Sequence, residues 1–167
     1  SKIYEAPLTG FEDKSTWKEV IKHDPKVKIE GMEVFEKFLA LSVRTNGLRE
    51  IRIMDLTNNK VSNVNFPEPV YNVSKGYNPE YTATTVRYTY QSLNRPRTTY
   101  EYEMTTAKSV KLKEQEIPSG FDADKYEVKR LFATAKDGAK VPMAIVYKKG
   151  LDLNGKNPAL LYAYGSY

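Results

Sequence analysis

The sequence is poor in the residues that build covalent or metal-dependent sites. Its 167 residues include no cysteine and one histidine, His23. The lack of cysteine excludes a disulfide framework and a thiolate metal centre, and it leaves the redox compartment open. His23 stands beside Asp24 and Pro25 in a polar turn, and no serine or cysteine in a strained turn accompanies it as a nucleophile. We therefore interpret His23 as a surface residue, and we expect no cofactor and no metal.

Long apolar runs and recognisable catalytic motifs are also missing. No segment approaches the roughly 18 apolar residues of a membrane span, and residues 1–4 lack the hydrophobic region of a signal peptide. The sequence contains no Gly-x-Ser-x-Gly turn, no P-loop and no Gly-x-Gly-x-x-Gly. These absences predict a chain without a membrane partner and without a complete catalytic set of its own.

Charge of one sign is nowhere concentrated. The chain has 26 basic and 21 acidic residues, a net charge of +5, yet the two signs alternate, as in residues 101–116. Such mixing is typical of a solvated surface, whereas a nucleic-acid site needs a continuous basic stripe that follows the phosphates. We therefore expect no nucleic-acid partner.

What the sequence does contain is a repeat. Residues 53–60 and 101–108 lie 48 positions apart, and each pattern is typical of a strand, an acidic turn and a second strand. A fainter copy joins residues 3–7 to residues 17–21 across a longer loop. A period near 50 made of short strands indicates propeller blades, in which each four-stranded sheet stacks on its neighbours.

Alternation of apolar and polar residues predicts the strands themselves. It occurs in residues 39–43, 86–91 and 100–104, and a period of two is typical of half-buried antiparallel strands. Asn46 and Gly47 follow the first of these runs, and Asn-Gly favours a type I′ hairpin turn because both residues tolerate positive φ. With thirteen tyrosines, the composition also favours strands over helices.

The pattern changes near residue 121, after a linker-like stretch at residues 117–124. Beyond it, residues 129–147 predict a hairpin with its turn at residues 136–138. Residues 159–164 are continuously apolar, which predicts a strand covered on both faces in the middle of an α/β sheet. This second part therefore resembles the beginning of an α/β domain.

Six short motifs follow one another along nearly the whole chain. They are Arg44-Thr45-Asn46-Gly47-Leu48; Phe66-Pro67-Glu68-Pro69; Tyr88-Thr89-Tyr90-Gln91-Ser92-Leu93; Phe121-Asp122 with Tyr126; Ala135-Lys136-Asp137-Gly138 with Val141-Pro142; and Asn157-Pro158 with Tyr162-Ala163-Tyr164-Gly165-Ser166-Tyr167. In this order they resemble the prolyl oligopeptidase family of serine peptidases. The Gly-Ser-Tyr ending favours the oligopeptidase B group of that family.

The resemblance implies a mostly β fold in two parts. Residues 1–120 would be the C-terminal blades of a seven-bladed β-propeller, and residues 121–167 would be the first strands of an α/β-hydrolase domain, truncated after its third strand. The family hydrolyses short peptides, after Arg or Lys in this group, with a Ser-Asp-His triad between the two domains, and the propeller acts as a size filter. The triad would lie downstream of this chain, so we expect an inactive fragment of a cytoplasmic enzyme, with a periplasmic one not excluded.

The resemblance also assigns roles to two tyrosines. The hydroxyl of Tyr164 would donate to the oxyanion hole of the intact enzyme, where preorganised donors stabilise developing negative charge. Tyr167 would line the pocket for the residue before the cleaved bond. The implied partners are a peptide substrate, the remaining blades and catalytic domain of the same enzyme, and a second copy that associates through open blade edges.

Two other interpretations stay open at this stage. The chain could be a non-catalytic, propeller-like module whose stacked faces bind a protein or a peptide. Alternatively, the tyrosine-rich residues 88–102, with Arg95 and Arg97, could stack nucleic-acid bases. The carboxylates of Glu101 and Glu103 oppose that second alternative because they repel phosphate.

Overall fold

The computed structural model describes residues 1–165, and it confirms a fold built almost entirely of antiparallel strands. Within that range there are twelve strands and two 3₁₀ helices, and no helix is long and apolar enough to cross a membrane. The strands are β1 (Ile3–Glu5), β2 (Lys18–Ile21), β3 (Val27–Val34), β4 (Phe38–Thr45), β5 (Leu48–Asp55), β6 (Val61–Asn63), β7 (Tyr71–Lys75), β8 (Thr85–Ser92), β9 (Arg95–Glu103), β10 (Lys108–Glu114), β11 (Tyr126–Thr134) and β12 (Lys140–Lys148). The 3₁₀ helices are Lys14–Thr16 and Ala123–Lys125.

Strands β3 to β6 form the first four-stranded sheet, an antiparallel meander in chain order. A two-residue turn joins β4 to β5, with Thr45 opposite Leu48. Its central residues, Asn46 and Gly47, have φ values of 51° and 81°. Positive φ at both positions defines the type I′ turn that the sequence predicts.

Strands β7 to β10 form the second sheet with the same meander topology. The 48-residue repeat corresponds to equivalent turns, from β5 to β6 in the first sheet and from β9 to β10 in the second. In the first turn the Asp55 carboxylate accepts the backbone N–H of Thr57 at 2.8 Å; in the second the Glu103 carboxylate accepts the N–H of Thr105 at 3.1 Å. The repeat therefore marks the same position in two equivalent sheets.

The two sheets stack face to face and bury one apolar cluster between them. Its members are Phe35, Phe38, Ala40, Ile51, Ile53, Val64, Val73, Val86, Tyr88, Tyr90, Tyr102 and Met104. Phe35 and Val86 are each only 1% exposed. Because alternate residues of a strand point to opposite faces, the period of two seen in the sequence places these side chains on the shared face.

Strands β1 and β2 pair with each other and cover the other face of the first sheet. This pair is the fainter copy of the repeat. The second buried cluster consists of Leu39, Leu41, Val43 and Met54, against which Ile3, Val20, Ile21, Val27 and Ile29 pack. The first sheet is therefore apolar on both faces.

The last two strands, β11 and β12, form the predicted hairpin in continuous register from Tyr126 opposite Lys148 to Thr134 opposite Lys140. Its apolar side chains remain largely exposed: Phe132 is 50% exposed and Val141 is 47% exposed. The predicted strand over residues 159–164 is not formed, because no strand among the described residues lies beside it to supply hydrogen-bond partners.

Candidate functional site

The residues that the sequence assigns to catalysis do not assemble into a site within the described part of the chain. Tyr164 is 71% exposed and lies beyond the last strand. Tyr167 falls outside the described residues. His23 is exposed, and its Nδ1 lies 2.9 Å from the amino nitrogen of Ser1. The roles of Tyr164 and Tyr167 therefore stay predictions.

The tyrosine-rich stretch is a core element rather than a stacking surface. Tyr88, Tyr90 and Tyr102 are only 2–3% exposed. The ring of Tyr90 stacks on that of Phe66 with centroids 5.3 Å apart, and the rings of Tyr88 and Tyr100 stack at 5.4 Å. These faces are covered by other aromatic rings, so they are not available to nucleic-acid bases.

The arrangement that most resembles a functional site is the junction between the two sheets and the β11–β12 hairpin. Two hairpin turns, one from each sheet, reach the hairpin. The Arg130 guanidinium donates to the carbonyl oxygen of Asn46 in the first turn. The neighbouring Gly47 lies close to the hairpin, because a Cβ atom added to it would be 3.4 Å from Cγ of Pro142. Asn94, in the turn between β8 and β9, donates to the carbonyl oxygen of Tyr126 at 3.5 Å. Both sheets thus contact the segment that follows them.

A buried carboxylate lies under this junction. Glu68 belongs to the connection between the two sheets and is 9% exposed. One of its oxygens accepts the Tyr90 hydroxyl, and the other accepts Nε of Arg95 at 2.8 Å. Burial, and then the hydrogen bond to Glu68, raise the pKa of the Tyr90 hydroxyl, so Tyr90 acts as a donor at neutral pH. A buried carboxylate needs a cation and hydrogen-bond donors, and Glu68 has Arg95 at one oxygen and the Tyr90 hydroxyl at the other.

The same arginine reaches outward to the linker. A second guanidinium nitrogen of Arg95 lies 3.0 Å from a carboxylate oxygen of Asp124, which is 78% exposed. Asp124 is held locally, since its backbone N–H donates to the Asp122 carboxylate at 3.0 Å. The hydrogen bond to Glu68 raises the pKa of Arg95 further, so the guanidinium stays charged. Arg95 therefore bridges a buried acid and an exposed one.

This set of side chains can hold two parts of a chain together, but it offers no nucleophile with a base. No group of three or more His, Asp or Glu residues able to hold a metal ion occurs among residues 1–165. The sequence did not indicate Glu68 and Asp124 as site residues, and Arg95 was a candidate only for base stacking. The one local signal for Glu68 is an acidic residue between two prolines, at positions 67 and 69.

An open groove of about 1000 Å³ lies elsewhere, between the β1–β2 pair and the first sheet. Its lining is mainly aliphatic and includes Val27, Ile29 and Val34 on β3 and Leu56 and Val61 beyond β5. Two of its charged lining residues, Glu19 and Arg52, are already paired, with Lys2 and Glu50 respectively. We therefore regard it as a packing surface.

Comparison with known proteins points to one family. The model of the prolyl oligopeptidase N-terminal β-propeller domain matches residues 1–115. The chain is 38% identical over 99% of its length to dipeptidyl aminopeptidase BI of Pseudoxanthomonas mexicana and 30% identical, also over 99%, to protease 2 of Moraxella lacunata. It spans 23% of the length of each of these relatives.

Among solved structures, the chain is similar to oligopeptidase B from Trypanosoma brucei in its closed form with covalently bound antipain. The TM-score is 0.77 at 30% identity, with 91% of this chain and 22% of that chain covered. The stacked four-stranded sheets therefore have counterparts in a solved peptidase.

Proposed function

Because the chain belongs to the prolyl oligopeptidase family, we propose that it is part of a serine oligopeptidase that hydrolyses short peptides after Arg or Lys. Residues 1–120 are the C-terminal blades of the propeller, and residues 121–167 begin the α/β-hydrolase domain. The observation that carries the proposal is the stack of two equivalent four-stranded sheets, followed by a hairpin that both sheets contact, in a chain whose residues 1–115 match the propeller model.

The chemistry is supplied mainly by residues of the intact enzyme that do not belong to this chain. The serine hydroxyl of a Ser-Asp-His triad attacks the peptide carbonyl while the histidine takes its proton, and negative charge develops on the carbonyl oxygen. The Tyr164 hydroxyl donates to that oxygen, and Tyr167 lines the pocket for the residue before the cleaved bond. The proposed preference for Arg and Lys rests on the resemblance of the sequence motifs to the oligopeptidase B group, and similarity to an oligopeptidase B structure agrees with that group.

The same proposal defines partners and location. The propeller blades and the catalytic domain of one enzyme contact each other, and a short peptide enters between them. Triad hydrolysis needs no cofactor or metal. We place the enzyme in the cytoplasm.

The proposal is tested on the protein encoded by the entire reading frame that contains this chain. Peptide amides ending in Arg, Lys or Pro are compared as substrates, with and without a serine-directed fluorophosphonate. We expect turnover after Arg and Lys that the reagent abolishes. Turnover after Pro alone would refute the basic specificity, and turnover by residues 1–167 without the rest would refute the placement of the triad.

The role of Tyr164 is tested in the same protein by Tyr164→Phe. Loss of one oxyanion donor is expected to lower kcat by about 10²–10³-fold with little change in KM. Tyr162→Phe is the matched control, because Tyr162 is also exposed, at 85%, and lies two residues away. Equal effects of the two substitutions would rule out an oxyanion role for Tyr164.

A further inference from the structure

Among residues 1–165, the hydrogen bonds and ion pairs between the linker after the second sheet and the blades occur near the two ends of the linker. The ladder of the sheet ends where the backbone N–H of Gln115 donates to the carbonyl oxygen of Arg97 at 2.8 Å. Within residues 116–123, the linker's hydrogen bonds in the described structure are internal, such as the N–H of Gly120 to the carbonyl of Ile117 at 2.9 Å. The next tie to a blade is the ion pair of Asp124 with Arg95.

Both ties lie on the same strand. Arg95 and Arg97 are two residues apart at the beginning of β9, so the linker leaves this strand at one point and returns to it at another. The Arg95–Asp124 contact therefore closes a loop and, together with the Asn94–Tyr126 hydrogen bond, positions the 3₁₀ helix Ala123–Lys125 and the beginning of strand β11 relative to the blades.

The two contacts of the Arg95 guanidinium differ in character. The inner contact joins Nε to Glu68, which is 9% exposed and also accepts the Tyr90 hydroxyl. Arg95 itself is 41% exposed, but losing it would leave the buried Glu68 carboxylate without its cation, so this contact is the more costly of the two to break. The outer contact joins the same guanidinium to Asp124, which is 78% exposed, and exposed pairs are weak and screened by salt.

We propose that Arg95 is a positioning residue that works as a two-armed clasp: Glu68 fixes the guanidinium in place, and the outer arm binds and releases Asp124 to dock or free the linker. An arginine already held by Glu68 loses little further side-chain freedom when it binds Asp124. Release frees the linker and leaves the blades folded, because the inner arm is unaffected. In the peptidase proposed above, on which this last step rests, release loosens one tie between the propeller and the catalytic domain, while the Asn94–Tyr126 and Arg130–Asn46 contacts remain.

Hydrogen exchange of the full-length protein, followed by mass spectrometry, tests the clasp. Asp124→Asn removes the charge of the outer partner at nearly constant shape and leaves Glu68 and Arg95 paired. We expect exchange in peptides covering residues 116–125 to rise about two- to fivefold, with exchange in β8 and β9 unchanged. Raising NaCl to about 1 M should produce the same rise in the unmodified protein, because screening is then effective within about 3 Å.

Two further variants separate positioning from general stability. Asp124→Glu keeps the charge and is expected to restore slow exchange in the linker. Asp137→Asn makes the same charge change in the β11–β12 turn, where Asp137 accepts the N–H of Ala139 at 3.0 Å, and is expected to leave hydrogen exchange in the linker unchanged.

The clasp is refuted if Asp124→Asn and Asp137→Asn give the same linker exchange, or if Asp124→Asn also accelerates exchange in β8 and β9. Hydrogen exchange is measured without substrate, so its result does not depend on peptidase activity. The proposal for Arg95 and the proposed peptidase function can therefore be confirmed or refuted separately.

Discussion

Replacing Tyr90 by Phe removes one hydroxyl from the core and little else. Tyr90 is 3% exposed, and its ring stacks on Phe66, a contact that phenylalanine preserves. The lost hydroxyl donates to the buried carboxylate of Glu68, which keeps only its contact with Arg95. A hydrogen bond to a charged group contributes about 1.5–3 kcal/mol. We expect Tyr90→Phe to lower the free energy of unfolding by that amount.

The measurement is urea unfolding followed by far-UV circular dichroism, with the m value compared between variants to show that the same surface unfolds. In thermal unfolding of a chain of this size, the same loss of free energy corresponds to a fall in Tm of about 3–12 °C, at roughly 2–4 °C per kcal/mol.

Tyr71→Phe is the matched control for this substitution. The Tyr71 ring also packs on Phe66, with centroids 4.5 Å apart, but its hydroxyl makes no side-chain hydrogen bond to residues 1–165. Removing the Tyr71 hydroxyl is expected to lower the free energy of unfolding by less than about 0.5 kcal/mol, because no buried hydrogen-bond network is broken. Equal losses for Tyr71→Phe and Tyr90→Phe would show that the Glu68 hydrogen bond contributes nothing, and the reasoning about the buried network would be wrong.

Two other predictions follow from the backbone and from titration. Ala107 has φ +57°, and Asn59, its counterpart in the other copy of the repeat, has φ +60°. Because asparagine tolerates positive φ better than alanine, Ala107→Asn should raise the free energy of unfolding by about 0.5–1 kcal/mol. A lower free energy of unfolding in urea would contradict the strain argument. Burial raises the pKa of Tyr71 from its ordinary 10 to about 12. The protonated Tyr71 hydroxyl therefore makes its full contribution to the free energy of unfolding below about pH 10, and this contribution is lost as the pH rises to about 12. The alkaline loss of stability should be smaller in Tyr71→Phe, and an unchanged slope would argue against the shift.

Local pattern was sufficient to predict the sheets and the family. Alternation places side chains on opposite faces regardless of distant sequence, and Asn46-Gly47 determines its own turn through positive φ. The 48-residue repeat was detectable because Asp55 and Glu103 perform the same local task, accepting backbone N–H groups in equivalent turns. The motif series then identified the family, which the propeller match confirms.

The prediction of a strand at residues 159–164 shows where local pattern fails. Continuous apolar sequence indicates that a segment is suited to burial, but a strand exists only where a neighbour supplies hydrogen bonds. Leu160 is 93% exposed and Leu161 is 87% exposed, so neither neighbour nor cover is present in the described structure.

The junction was equally hidden from the sequence, for a different reason. Glu68, Arg95 and Asp124 are far apart in the chain, and each is an ordinary charged residue in a sequence of mixed charge. Only the fold shows that Glu68 is buried and that one guanidinium reaches both acids. Burial, not residue type, makes this cluster distinctive.

The two four-stranded sheets also differ in how they can meet another surface. The outer face of the second sheet is mostly polar: Arg87 pairs with Glu101 at 3.0 Å, and Thr89 and Gln91 lie on the same face, together with the exposed Val110 opposite Glu101. The first sheet is instead apolar on its outer face, where β1 and β2 leave the groove of about 1000 Å³ open. Desolvating a charged and hydroxylated face gains little, whereas burying aliphatic surface stabilises association by about 25 cal/mol per Å². Self-association is predicted through open blade edges, and the apolar groove on the first sheet is a second surface whose burial would stabilise such a contact.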